Sequence, residues 1–208
     1  MKKITLLFSL FLASFMLNAQ TTVTRKLDSF KKIAISGAYQ ELILKSGSSE
    51  SVTIEGEGVD LEKIKTKVHK NSLNISTENG THKTDRIKIT VTYRELTAIV
   101  ASGSTDINCT SAIKGEKFEY ASSGSGDFKG EFDVDHLEIA ISGSSDLSLQ
   151  GQAGHQEYAI SGSGDVNAKT LKGNTADVAI SGSSEVNISV SGKVKSAVSG
   201  TGKVTNNK

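Results

Sequence analysis

Five carboxylates recur along the second half of the chain at nearly even spacing. Asp106, Asp127, Asp146, Asp165 and Glu185 stand 21, 19, 19 and 20 residues apart, each three residues after a glycine in Ser-Gly-Ser-x-Asp/Glu. A second acidic file, Glu119, Glu138, Glu157 and Asp177, falls five residues before the same glycines. Acids brought into single file offer two chemistries. Stacked at strand spacing they would attract divalent cations weakly, and like charges ~4.8 Å apart in water repel by only about 1 kcal/mol. Alternatively, each Asp bonds backbone groups and caps its own turn. Turn capping is the expectation, with a surface for cations or cationic partners as the competing reading.

Other reactive residue types form no recognisable machinery. His69, His82, His136 and His155 show no metal-ligand spacing, although His136 and His155 lie 19 residues apart and so fall where rings would stack. Ser161 is one of a series of equivalent serines, which marks architecture rather than a unique nucleophile. No Gly-x-Ser-x-Gly elbow has partners that can be placed. Gly162-x-Gly164 lacks the third glycine of a dinucleotide fingerprint and the Gly-Lys-Ser/Thr of a phosphate loop. Calcium-binding rolls repeat every nine residues, not every 20. Sugar-cleaving β-helices need aromatic platforms, but aromatics are 5% of this chain, and Tyr120 and Tyr158 fall on apolar columns. Tyr39 and Tyr93 are too few to make a sugar track. No catalytic, cofactor-binding or metal-ligating residues are assigned; the acidic ladder is the one candidate surface.

The elements that would position this ladder follow from the repeat. Gly103, Gly124, Gly143, Gly162, Gly182 and Gly200 recur at a period near 20, which suits one turn of a β-solenoid rather than a helical repeat. Aligned on that glycine, apolar residues occupy the even offsets: Ile139 and Ile141, Tyr158 and Ile160, Val178 and Ile180 before it, and Leu147 and Leu149, Val166 and Ala168, Val186 and Ile188 after it. This is the period-2 pattern of strands, with even offsets inward and odd offsets outward. Cys109 falls on an inward column and reads as a core thiol. The Ser-Gly segment is the corner between two strands, where glycine admits positive φ. The chain has no proline, which suits a fold made almost wholly of paired backbone. Gly37 looks like an earlier corner, three periods before Gly103.

Residues 20–208 are read as one all-β domain: a right-handed single-stranded parallel β-helix of about 20 residues per coil. Its less regular coils lie at 20–100 and its regular ones at 101–208. Strands are expected at Leu42–Leu44, Val52–Ile54, Leu73–Ile75 and Ile87–Val91; Asp60–Ile64 could open a short helix, but Ile64–Val68 also alternates, and strand is favoured. Glu78–Arg86 reads as a polar loop. Residues 1–19 read as a signal peptide: Lys2 and Lys3, an apolar run from Ile4 to Leu17, and a small residue at Ala19. Its removal leaves 22 basic against 23 acidic residues, a balance that offers nucleic acid or an anionic membrane no electrostatic footprint. No span of the membrane is expected after signal removal.

The signal segment, Leu27–Gly37, Ile64–Val68 with Leu73–Ser76, and the serial Ser-Gly-Ser-Gly/Ser-Asp corners together resemble the head GIN domain family of Bacteroidota, described as auto-transporter adhesins. The resemblance covers essentially the whole mature chain. It implies an exported, right-handed single-stranded β-helix and brings no catalytic residues with it. The chain ends at Lys208 with no segment expected to form a membrane barrel, so self-secretion is not expected. The expected role is an exported, non-enzymatic binding or structural module, periplasmic or at the outer surface. It would use no cofactor, and a glycan or protein surface is the candidate ligand. The rival is a polysaccharide lyase or hydrolase on the same scaffold. End-to-end association through bare strand edges is a third possibility, opposed by Lys193, Lys195, Lys203 and Lys208.

Overall fold

The computed structural model describes residues 21–78 and 84–208. The expected signal peptide and His82 lie outside the described residues. Among the described residues, seventeen strands form one continuous sheet wound into a β-solenoid. In chain order they are β1 (Thr21–Lys26), β2 (Lys32–Gly37), β3 (Glu41–Ser46), β4 (Ser51–Gly56), β5 (Ile64–His69), β6 (Ser72–Thr77), β7 (Ile87–Tyr93), β8 (Ala98–Gly103) and β9 (Ile107–Cys109). The long strands β10 (Ile113–Gly124), β11 (Phe128–Gly143) and β12 (Leu147–Gly162) follow. The last are β13 (Val166–Gly173), β14 (Thr175–Gly182), β15 (Glu185–Val190), β16 (Val194–Gly200) and β17 (Lys203–Asn206). Single 3-10 turns occupy Leu61–Lys63 and Thr84–Arg86. The Asp60–Ile64 stretch therefore splits between a turn, capped by the Asp60 side chain on the Glu62 N–H, and the start of β5.

The glycines are in vertical register. Gly37 pairs with Gly103, and the column continues through Gly124, Gly143, Gly162, Gly182 and Gly200. At ~4.8 Å per step, these seven levels span about 29 Å. The column requires glycine for two reasons. Gly162 has φ of +140°, and a Cβ there would collide with the Gly143 carbonyl one level below, 3.0 Å from its carbon and nearer still to its oxygen. No side chain could enter that spacing without parting the backbone ladder.

Gly37 is not three coils away from Gly103, as its sequence spacing suggests, but directly adjacent. β2 and β3 lie between β6–β7 on one side and β8–β9 on the other. The residues between fold back over the N-terminal end, where β1–β4, β4–β7 and β5–β6 pair antiparallel. A spacing of 66 residues counts three periods only if every segment climbs the stack, and antiparallel strands do not. The β5–β6 hairpin turns through Lys70 and Asn71, both at positive φ, the backbone of a tight turn matched to strand twist.

Even offsets are inward throughout. Ile139, Ile141, Tyr158, Ile160, Leu147 and Val166 are buried, and so is Cys109. Tyr39 and Tyr93 are core residues as well. The core between β10 and β11 is filled by an aromatic cluster, with Phe118 and Phe132 centroids 5.3 Å apart and Tyr120 and Phe128 4.3 Å apart. Gly130 makes room for it, since a Cβ there would meet both Phe128 and Phe132 at 2.9 Å.

Candidate functional site: a carboxylate ladder and an alanine–serine groove

The acidic ladder exists, and its oxygens have partners. The Asp127 backbone N–H donates to Asp106 Oδ1 at 3.0 Å, Asp146 to Asp127 at 3.2 Å, Asp165 to Asp146 at 2.9 Å, and Glu185 to Asp165 at 2.7 Å. Each carboxylate thus caps the turn of the following coil rather than its own, which differs from the sequence expectation. The reason is geometric: stacking places the next level's N–H one strand spacing away, within reach of a two-carbon acid. Glu185, one carbon longer, turns instead to accept from Asn187 Nδ2 at 3.0 Å. Among the described residues, no group of three or more His, Cys, Asp or Glu side chains is arranged to hold a metal ion.

The second acidic file is bridged by cations. Lys117 Nζ lies 2.6 Å from Glu119 and 2.8 Å from Glu138, while Lys195 Nζ lies 3.2 Å from Asp177. Both glutamates hold the Lys117 ammonium well above its usual pKa, and Lys117 in turn lowers that of Glu119. His136 and His155 lie on adjacent coils and meet edge to face, with centroids 5.9 Å apart and ring planes at 65°, and His155 Nδ1 sits 2.8 Å from Thr175 Oγ1.

The corners carry an alternation that the offset reading passed over. Two residues after each ladder glycine, Thr105, Gly126, Ser145, Gly164, Ser184 and Gly202 alternate between hydroxyl and glycine. The hydroxyls reach down one level to the ladder: Thr105 Oγ1 to Gly37 O at 3.4 Å, Ser145 Oγ to Gly124 O at 3.4 Å, and Ser184 Oγ to Gly162 O at 3.3 Å. Ser145 Oγ also lies 3.1 Å from Ser122 Oγ. These are buried polar groups satisfied by local partners, as burial requires.

A long concavity lies elsewhere, along an outward column absent from the sequence expectations. Three residues before the ladder glycines, Val100, Ala121, Ala140, Ala159, Ala179 and Ala197 stack in register. Beside them runs an unbroken file of serines from Ser102 to Ser199, one per coil. Small side chains on six successive levels leave a trough of about 720 Å³, within the range of ligand sites. Val100 and Val198, the two exposed large hydrophobics among the described residues at 52% and 45%, lie on its lining. The acidic file, with its lysine bridges, runs along one flank, where Glu157, Asp177 and Lys195 share a side recess with Ala159, Ala179 and Ala197. The sequence signal was the alanine at the third place before each glycine, legible once that odd column is tabulated.

Such an arrangement can hold an elongated ligand by apolar contact with hydroxyls alongside; it presents no converging acid and base. No helix among the described residues is long and apolar enough to cross a membrane.

The same architecture occurs in solved structures. A protein described as a "putative adhesin", from Bacteroides fragilis, superposes with a TM-score of 0.82 at 18% identity, covering 90% of this chain and 97% of that one. A second "putative adhesin", from Parabacteroides merdae, gives 0.68 at 14% identity over 91% and 96% of the two chains. A "putative lipid binding protein" from Parabacteroides distasonis gives 0.65 at 15% identity over 91% and 97%. At these identities the likeness is one of fold. No curated protein matches the chain in sequence. The profile of the family described as "Putative auto-transporter adhesin, head GIN domain" matches residues 29–207, and the chain belongs to that family.

Proposed function

We propose that this protein is an exported, non-enzymatic binding module of the cell envelope, adhesin-like in role, that holds its ligand along the alanine–serine groove. One observation carries the reading. A fold that buries nearly every large hydrophobic leaves a continuous apolar trough open across six coils, with its two exposed valines on the lining. Exposed apolar surface of that continuity marks an interaction site on a soluble domain. The non-enzymatic part is supported by the ladder aspartates, each of which has one carboxylate oxygen engaged by the backbone N–H of the next level. The ligand class that fits is a glycan chain or an extended protein segment with an apolar face and hydrogen-bonding edges for the serine file.

The test is a glycan and protein array probed with the mature chain beside an Ala140→Arg/Ala159→Arg variant, which fills the trough from two exposed positions. Binding by the parent that the variant loses, at an unchanged melting temperature, is the expected result. Equal binding by both proteins, or turnover of a polysaccharide on the array, would count against it.

A second reading, an acyl chain in the trough, is favoured by the apolar character of the lining and by the lipid binding ascribed to the Parabacteroides distasonis neighbour. A fluorescent fatty acid that brightens with the parent and not with the Arg variant would select it over a glycan.

A further inference from the structure

The last coil differs from every other in charge. Between Val186 and Lys208 the chain has no Asp or Glu, while Lys193, Lys195, Lys203 and Lys208 all fall there. Both acidic files end at this level by changing sign. Lys195 occupies the position above Asp177, and Lys203 the position above Glu185. Lys195 shows what such a lysine takes from a neighbouring level, since its Nζ lies 3.2 Å from Asp177 Oδ2. Lys193, Lys203 and Lys208 make no ion pair among the described residues.

The backbone at this level is also one-sided. β16 pairs with β14 in register from Ala176↔Val194 to Gly182↔Gly200, and six of its seven residues are exposed. Val198 belongs to the inward column that buries Ile180 and Ile160 one and two levels below, yet it stands 45% exposed, facing the position of a further coil. The neighbouring β17 segment is tied to β15 below it: Asn206 exchanges hydrogen bonds with Val190 N and O at 3.0 Å, and Asn207 Nδ2 donates to Ile188 O at 3.3 Å. Among the described residues both β16 and β17 pair on one side alone, and β16 adds the exposed Val198 to its open edge.

We propose that the β16 edge, continued round the corner onto the β17 edge, accepts an added strand from a partner protein, and that the strand is acidic, with carboxylates facing Lys195 and Lys203. Strand addition takes its affinity from backbone pairing and its selectivity from alternate side chains. Lysine on an edge repels basic strands, which gives the selectivity here its sign. Charge also argues against a second copy of this chain as occupant. Its own C-terminal coil is lysine-rich, and the edge strands at its other end, β1 with Arg25 and Lys26 and β5 with Lys65 and Lys67, carry no acid. The edge adjoins the end of the groove, which Ala197, Val198 and Ser199 line, but pairing along β16 and filling of the trough are read by different measurements.

The probe is a fluorescein-labelled peptide copying Thr175–Val190, which carries Asp177 and Glu185 at the two required places; its control carries Asp177→Lys and Glu185→Lys. Fluorescence anisotropy against the mature protein should show saturable binding of the acidic peptide, with the control at least about tenfold weaker. A Lys195→Glu/Lys203→Glu protein should reverse that preference. Amide exchange within Val194–Gly200 should slow when the acidic peptide is bound. No saturation up to about 1 mM peptide, equal affinity for both peptides, or protection confined to other strands would overturn the proposal. Both protein changes sit on exposed side chains, and matching melting curves establish that the comparison is made between folded proteins.

Discussion

The backbone N–H of Asp165 donates to the carboxylate of Asp146, 19 residues earlier in sequence and one level down, at 2.9 Å. That hydrogen bond ties consecutive corners through a side chain, in parallel with the backbone ladder. Asp146→Ala removes the acceptor and should cost about 1 kcal/mol, lowering the melting temperature by about 2–4 °C for a chain of this size. Asp146→Asn keeps an oxygen acceptor and removes a like charge from the ladder, so it should melt within about 1 °C of the parent, a surface-scale effect. Equal loss by both variants would show that charge, not acceptance, is what the column supplies.

The glycine column separates two kinds of glycine requirement. Gly58 has φ of +66° with nothing within 4 Å of where a Cβ would stand, so Gly58→Ala should cost only the left-handed backbone penalty of about 1–2 kcal/mol. Gly162→Ala adds a backbone collision with Gly143 and should cost about 3 kcal/mol or more. Urea titration of the two variants measures the difference directly.

The hydroxyl–glycine alternation makes a directional prediction. At Gly164 a Cβ would collide with the Ser145 backbone, so Gly164→Ser should be strongly destabilising, by about 2–3 kcal/mol. Ser145→Gly loses two modest hydrogen bonds and should cost about 1 kcal/mol. The same chemical swap made in opposite directions then ranks the two positions, and thermal melts read the order.

Burial pushes the Cys109 thiol up to about 12. The unfolded thiol ionises near 8.5, so between these values the folded state holds a proton that the unfolded state releases. Stability should therefore fall as pH rises above about 8.5, by up to about 1.4 kcal/mol per pH unit from this one group. Cys109→Ala should lack that component. Alkylating reagents at pH 8 should label the protein only at the rate of unfolding, because the folded thiolate is scarce.

At the N-terminal end, Arg94 Nε donates to Glu50 Oε1 at 2.7 Å, and Arg94 also reaches Ser29 Oγ. The Arg94 hydrogen bond holds the Glu50 carboxyl below its ordinary value. A depressed carboxyl contributes its stability above the unfolded pKa of about 4.3 and loses it as pH falls through the lower folded value. Glu50→Gln should consequently be most destabilising near neutral pH and converge on the parent as pH falls through the depressed folded value, as followed by denaturant midpoints.

The regular half of this molecule was open to reading because its determinants are local and repeated. Ser-Gly-Ser-x-Asp recurs often enough to set the period, and the even-offset apolar columns of Ile139 and Ile141 or Tyr158 and Ile160 set the face. Both survive unchanged in the solenoid, since period-2 burial and a corner that only glycine can occupy depend on near neighbours. The pairing of His136 with His155 on adjacent levels and the burial of Cys109 followed from the same register.

The order of the levels was not local. That Gly37 lies against Gly103, and that β4 and β5 run antiparallel over the N-terminal end, depends on which distant strands find one another. Spacing counts residues and carries no record of reversals. The Asp ladder shows the same division on a finer scale: sequence placed Asp106, Asp127, Asp146 and Asp165 in one file, but only the stacked backbones decided that each serves the coil above it. The groove is the fullest case, because Ala121, Ala140 and Ala159 are ordinary alanines one at a time. They become a trough only when pairing sets them side by side, where a row of missing side-chain volume is itself a shape.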